Sequence, residues 1–205
     1  MCCPSLRGLR SVPHVSDHGD VAHGWVLLLA QLPASPSSPR VTVWRRARSA
    51  GAIGVQNGAW VLPDGPDHVR FFTGLATYVR EHGGSAFALR TASATGGEDD
   101  EIVARFRSDR AKEYAELTER GEELLAELAK ETERSNFTFA ELEENEQDLD
   151  RLAGWLEKIM VRDFFPDEQA KDAAALLERC RAALETFTGE VYRSEGVAPE
   201  DPAGS

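Results

Sequence analysis

Cysteine is scarce in this chain: three residues in 205, at Cys2, Cys3 and Cys180. Three cysteines do not build a disulfide framework, so a small secreted scaffold is excluded and a reducing, cytoplasmic setting is expected. Cys180 falls inside a helical apolar pattern and reads as a small core residue. Long apolar runs are also missing. The longest, WVLLLAQL at 25–32, has strand length and falls well short of the ~18 residues a membrane span needs. It follows neither a basic region nor a nearby A-x-A pattern, so no secretory signal is assigned, and the NFT triplet at 136–138 carries little weight as a glycosylation site. GxGxxG, P-loop, HExxH and GxSxG signatures are all absent. EHGGS at 81–85 closes a helix rather than opening one, the wrong end for phosphate. His82 there is expected to meet a helix C-terminus. No enzyme, no cofactor and no metal site is therefore expected. His14, His18 and His23, with Asp17 and Asp20, match no zinc spacing, and residues 1–23 read as a polar disordered tail.

Negative charge is present in excess but is unevenly placed. The chain carries −12 overall; residues 1–93 hold a net +4 and residues 94–205 a net −16. Contact with nucleic acid is expected from the front half, because the back half would repel phosphate.

The pattern along the chain predicts an α+β protein. WVLLLAQL is a first strand. Ser38 stands as N-cap and Pro39 as first helical residue of a helix that runs to Ala50 and stops at Gly51. Two short strands, 52–56 and 59–62, flank Asn57-Gly58, which predicts a type I′ hairpin. Val69, Phe72, Leu75, Ala76 and Val79 mark a second helix, and SAFALRT (85–91) a fourth strand. This order is that of a ferredoxin-like βαββαβ domain, placed at 24–93, with both helices on one face of an antiparallel sheet.

Both faces of the first strand are apolar, Trp25, Leu27 and Leu29 one way and Val26, Leu28 and Leu32 the other. The face without helices is expected to meet either the C-terminal half or a second copy. ATGGEDD (94–100) reads as a hinge broken at Gly96-Gly97. A long-helix antiparallel domain is placed at 98–192, with a capping box at Thr138 and Glu141 and a break at Pro166. Its helices are expected to be roughly 25–35 residues long, with acidic outer faces. Residues 193–205 read as a disordered tail.

RVTVWRRARSA (40–50) concentrates arginine in an acidic protein. On a helical wheel Val43, Trp44 and Ala47 define a buried side, with Arg40 beneath it in the first turn and Arg45, Arg46 and Arg48 in the open. The exposed arginines fit a solvated or ion-paired face, an anion-binding face or a partner surface; the arginine fork suits phosphate and small oxyanions alike. Asp109 and Glu113 share a face of the next helix, and an arginine from 40–48 or 105–110 is expected between them. An enzyme acting on an anion would need a carboxylate such as Asp109 or Glu113 near the arginines.

The stretch WVLLLAQLP…RVTVWRRARSAGAIGVQNGAWVLP resembles the N-terminal domain of the bacterial chromate-resistance regulator ChrB. More remotely it resembles the middle domain of PaaX-type repressors, which is ferredoxin-like. FRSDRAKEYAEL (106–117) and RDFFPDEQAKDAAALLERCRAALETF (162–187) extend the resemblance over most of 24–192. It implies a cytoplasmic, DNA-linked transcriptional regulator responding to chromate. Full-length members carry a further C-terminal domain, and this chain is expected to lack it; no PaaX-like winged helix is expected ahead of residue 24. CRISPR-associated nucleases of related fold carry a metal-binding aspartate after the first strand, where this chain has Gln31, against a nuclease. The expected ligand is DNA or an anionic effector such as chromate or another oxyanion. The residues assigned to it are Arg40, Arg45, Arg46, Arg48, Gln56 and Asn57, supplemented by Arg107 and Arg110. A homodimer without membrane contact is expected; the alternative is a non-catalytic dimerisation or docking module that binds no DNA.

Overall fold

The computed structural model describes residues 24–196. The readings placed on 1–23, including Cys2, Cys3 and the three histidines, and on the chain beyond 196 lie outside the described residues. The element order is β1 (Gly24–Gln31), α1 (Ser38–Ser49), β2 (Ile53–Gln56), β3 (Ala59–Pro63), α2 (Pro66–Glu81), β4 (Ser85–Ala92), α3 (Gly96–Glu133), α4 (Phe139–Met160) and α5 (Glu168–Ser194). The strands form one antiparallel sheet in the order β2-β3-β1-β4, with Leu27 opposite Val61 on one side and Leu89 on the other. That is the ferredoxin-like βαββαβ arrangement, followed by three long helices.

The period-2 pattern of β1 sends Val26 and Leu28 to the helix side, where they pack with Val43, Ala47, Phe72, Leu75, Ala76 and Val79. Each large side chain sealed there contributes about 1.5–3 kcal/mol. The opposite face carries Trp25, Ile53 and Val61 into a second core closed by Phe106 of α3, with Phe164 and Phe165 beside it. Trp25 and Phe106 stack at 6.0 Å between centroids, 6° from parallel. The Trp25 indole N–H donates to Asp99 Oδ1 at 2.6 Å, and the Ser93 hydroxyl donates to the same oxygen at 2.5 Å. The C-terminal half thus covers the Trp25 end of this face. At the other end Leu29, Phe87 and Leu89 are exposed by 38%, 61% and 46%.

Helices α3, α4 and α5 share a third core built on Tyr114, Leu117, Leu124, Leu152, Leu156, Ile159, Leu177, Cys180, Leu184 and Phe187. Cys180 is buried there as expected. Gly121 lets α5 approach closely: a Cβ at this position would lie 2.7 Å from Leu176 Cδ2. The helices are 38, 22 and 27 residues long, so α3 exceeds and α4 falls short of the expected span.

Several local expectations give way. The N-cap of α1 is Ser37, not Ser38, and its side chain makes no capping bond. Gly96 and Gly97 do not break the chain: they form the first turn of α3, because the Glu98 carboxylate accepts the N–H groups of Ala94 and Thr95 at 2.9 and 3.1 Å and fixes the helix start ahead of them. At Thr138 half of the box forms. Its hydroxyl accepts the Glu141 N–H at 3.3 Å, while the Glu141 carboxylate accepts from Asn136. The Asn57-Gly58 turn is not type I′. Gly58 alone of the pair takes positive φ (75°), and the β2–β3 register slips between Gly54 and Gln56, so a bulge absorbs the twist. Helix α5 runs two residues past 192, to Ser194. Among the described residues no helix is long and apolar enough to cross a membrane.

Candidate functional site

Helix α1 contains no acidic residue in SPRVTVWRRARS and is anchored through Pro39, Val43 and Ala47, a stripe at i, i+4 and i+8. Val43 and Ala47 are buried as expected, but Trp44 is not, and Pro39 joins them instead. Trp44 is turned out to the flank and is 54% exposed. Arg40 is likewise exposed rather than tucked under the helix; its Nη2 donates to the Ala34 carbonyl at 2.6 Å. Arg45 points to solvent, and the Arg46 guanidinium sits 4.8 Å from the centre of the Tyr78 ring, a cation–π contact. Among the described residues Arg40, Arg45 and Arg46 form no ion pair with a carboxylate.

Trp44 and Arg40 border an open cleft of about 1190 Å³ between the start of α1, the β2–β3 hairpin and the ends of β1 and β4. Gln31, Gln56, Asn57 and Trp60 also line it. The cleft therefore collects Arg40, Gln56 and Asn57, while Arg45 and Arg46 face away on the outer surface of the same helix.

Arg48, Arg107 and Arg110 are used differently. Arg48 pairs with Asp109 of α3 and closes the seam between the halves. Arg110 is 5% exposed, its Nη2 2.8 Å from Glu113 Oε1, so it is not part of the open patch. Burial pulls its pKa down while Glu113 pushes it up; the guanidinium stays charged. Arg162, from the link between α4 and α5, holds the other Glu113 oxygen at 2.7 Å. Arg107 is exposed on α3 and donates to the Phe165 carbonyl at 3.4 Å, apart from α1. Asp109 and Glu113 each meet an arginine from the two expected stretches, Arg48 and Arg110, and neither is free beside Arg45 or Arg46.

Two groups of this junction escaped the sequence. Arg162 and Asp163 lie some fifty positions from their partners, and only the charged pair set directly against two phenylalanines in VRDFFP marks them out. Asp163 Oδ2 accepts the Tyr114 hydroxyl at 2.9 Å; burial first, and then this bond, raise the phenol pKa above its ordinary value. His82 lies against the end of α2, its Nδ1 2.8 Å from the Tyr78 carbonyl. Among the described residues no group of histidine, cysteine or acidic side chains is placed to hold a metal ion.

The comparisons with known proteins converge. No solved structure matches the chain. A curated protein named Protein ChrB, from Cupriavidus metallidurans, is 30% identical over 183 residues, which is 87% of this chain and 52% of that protein. The chain thus spans about half the length of that relative. The family described as "Protein ChrB, N-terminal" matches residues 40–197, from the first turn of α1 to the end of α5. The match crosses both halves and the seam between them, and the chain belongs to the ChrB N-terminal family.

Proposed function

We propose that this chain is a non-catalytic regulatory protein of chromate resistance that binds DNA through the outer face of α1, with Arg45 and Arg46 on phosphate. One observation carries the reading: in a chain of net charge −12, these two arginines are exposed and neither pairs with a carboxylate among the described residues. Phosphate contacts need cations that are not already neutralised. A binding rather than catalytic role is supported by the fate of Asp109 and Glu113, the carboxylates an anion-processing enzyme would use, which are both committed to arginines. The family membership supports the link to chromate resistance, and the basic front half supports contact with an anionic partner there.

A second reading has its own support. Arg40, Gln56 and Asn57 meet at the cleft beside Trp44, a donor set that suits a small oxyanion such as chromate.

The test is a titration of fluorescent promoter DNA at several salt concentrations. Arg45→Ala/Arg46→Ala is expected to weaken binding at least about tenfold and to flatten the slope of log affinity against log salt by about 2. Unchanged affinity and slope overturn the DNA reading. Calorimetric titration of chromate into the wild-type chain and Arg40→Ala then decides the second.

A further inference from the structure

We infer that two copies of this chain pair through the outer edges of β4, which no strand among the described residues covers, antiparallel and about a two-fold axis at Ala88. The sheet has two edges and they are built differently. β2 is four residues long and interrupted by a register shift, both of which discourage further pairing. β4 is eight residues long and pairs with β1 in unbroken register from Ser85 to Ala92, so its outer row of N–H and C=O groups is presented regularly. Its sequence, SAFALRTA, contains none of the proline, lysine or bulge devices that protect an exposed edge. The one charge, Arg90, is drawn away from the edge: its Nε reaches back across β1 to Asp64 Oδ1 at 3.0 Å.

The side chains select the partner. Phe87 and Leu89 point to the face that α3 leaves uncovered, next to Leu29 of β1, and are 61% and 46% exposed. Antiparallel pairing centred on Ala88 sets Phe87 of each copy opposite Leu89 of the other, twice by symmetry. Such aromatic–aliphatic cross-strand pairs stabilise a sheet. On the other face the same register sets Arg90 of each copy across from the buried Ala86 of the other and not across from a second Arg90, so no like charges meet. A strand that is its own complement in this register calls for an isologous contact, the commonest arrangement of soluble oligomers. The two strips of Leu29, Phe87 and Leu89 then join into one, and a continuous eight-stranded sheet results. Because the axis is perpendicular to that sheet, both copies of α1 lie on the same side of it. The inference does not depend on the DNA reading.

The experiment is light scattering on the full chain over a concentration series, with circular dichroism to follow folding. The wild type is expected to approach twice its 22.5 kDa mass. Phe87→Lys/Leu89→Lys is expected to stay at one chain at every concentration with an unchanged spectrum, since both positions are exposed. In a background with Cys2 and Cys3 changed to Ser, Ala88→Cys is expected to cross-link two chains on mild oxidation. A wild type that holds one-chain mass overturns the inference, as does a dimer that survives both lysines or one that fails to cross-link at 88. None of these outcomes touches Arg45 or Arg46, so the DNA titration stands or falls separately.

Discussion

Glu113 shows how one side chain can hold three parts of the molecule. Its two carboxylate oxygens are divided between Arg110, on its own helix, and Arg162, from the link before α5. Gly51, at the end of α1 with φ +80°, packs against Arg162 so tightly that a Cβ would lie 3.0 Å from the arginine's own Cβ. Removing one member of a buried ion pair leaves the other charge desolvated and unpaired, which typically costs more than the pair ever contributed. Glu113→Gln is therefore expected to destabilise the fold by about 3 kcal/mol in urea unfolding, with Arg110 stranded at 5% exposure. A loss below about 0.5 kcal/mol, the range of an ordinary surface change, would mean that water already solvates this junction.

The β2–β3 hairpin makes the same point for an element. Gly58 takes φ +75°, and a Cβ there would lie 2.2 Å from the Ala30 carbonyl oxygen, because β1 approaches the turn closely enough for Ala30 N–H to donate to Gly58 O at 2.7 Å. Gly58→Ala meets both the left-handed penalty and a backbone clash, and is expected to lower stability by about 2–3 kcal/mol in a thermal or urea melt. Asn57→Ala, where φ is not positive, is expected to change little. The turn's existence was legible in Asn57-Gly58, but its type was not: the bulge that replaces type I′ answers to β1, a strand about thirty residues earlier. Trp44 tells a similar story. Periodicity placed it on the buried side with Val43 and Ala47, yet it is 54% exposed and Pro39 is buried instead, a choice the packing of α1 on the sheet decides and the wheel does not show. Elements marked by long regular stripes, α2 and α5 above all, were readable because their burial repeats locally. Arg48, Arg107 and Arg110 look like their neighbours in sequence, and only their distant partners, Asp109, the Phe165 carbonyl and Glu113, separate them from Arg45 and Arg46.

For the whole molecule the decisive feature is that the basic and acidic halves share a core. Trp25 of β1 lies between Asp99, Phe106 and Phe165, so the sheet's second face is finished by α3 and the link before α5. Helices α3–α5 own a separate core and the sheet's helix side owns another, yet among the described residues the face of β1 that carries Trp25 is covered only from the C-terminal half. Unfolding the helical half would leave Trp25, Ile53 and Val61 in water, a penalty large enough to couple the halves. The wild type is accordingly expected to unfold in one step, with tryptophan fluorescence and far-ultraviolet circular dichroism giving coincident curves. Phe106, 2% exposed and stacked on Trp25, is the side chain whose loss weakens this coupling most directly. Phe106→Ala is expected to cost about 3–5 kcal/mol and to pull the curves apart. Fluorescence, to which Trp25, Trp44 and Trp60 of the sheet half contribute beside Trp155 of α4, should begin to change at lower denaturant than the helical signal of α3–α5. If the two curves stay superimposed in the variant while the midpoint falls, the seam is held mainly by contacts such as the Arg48–Asp109 ion pair and not by the aromatic stack.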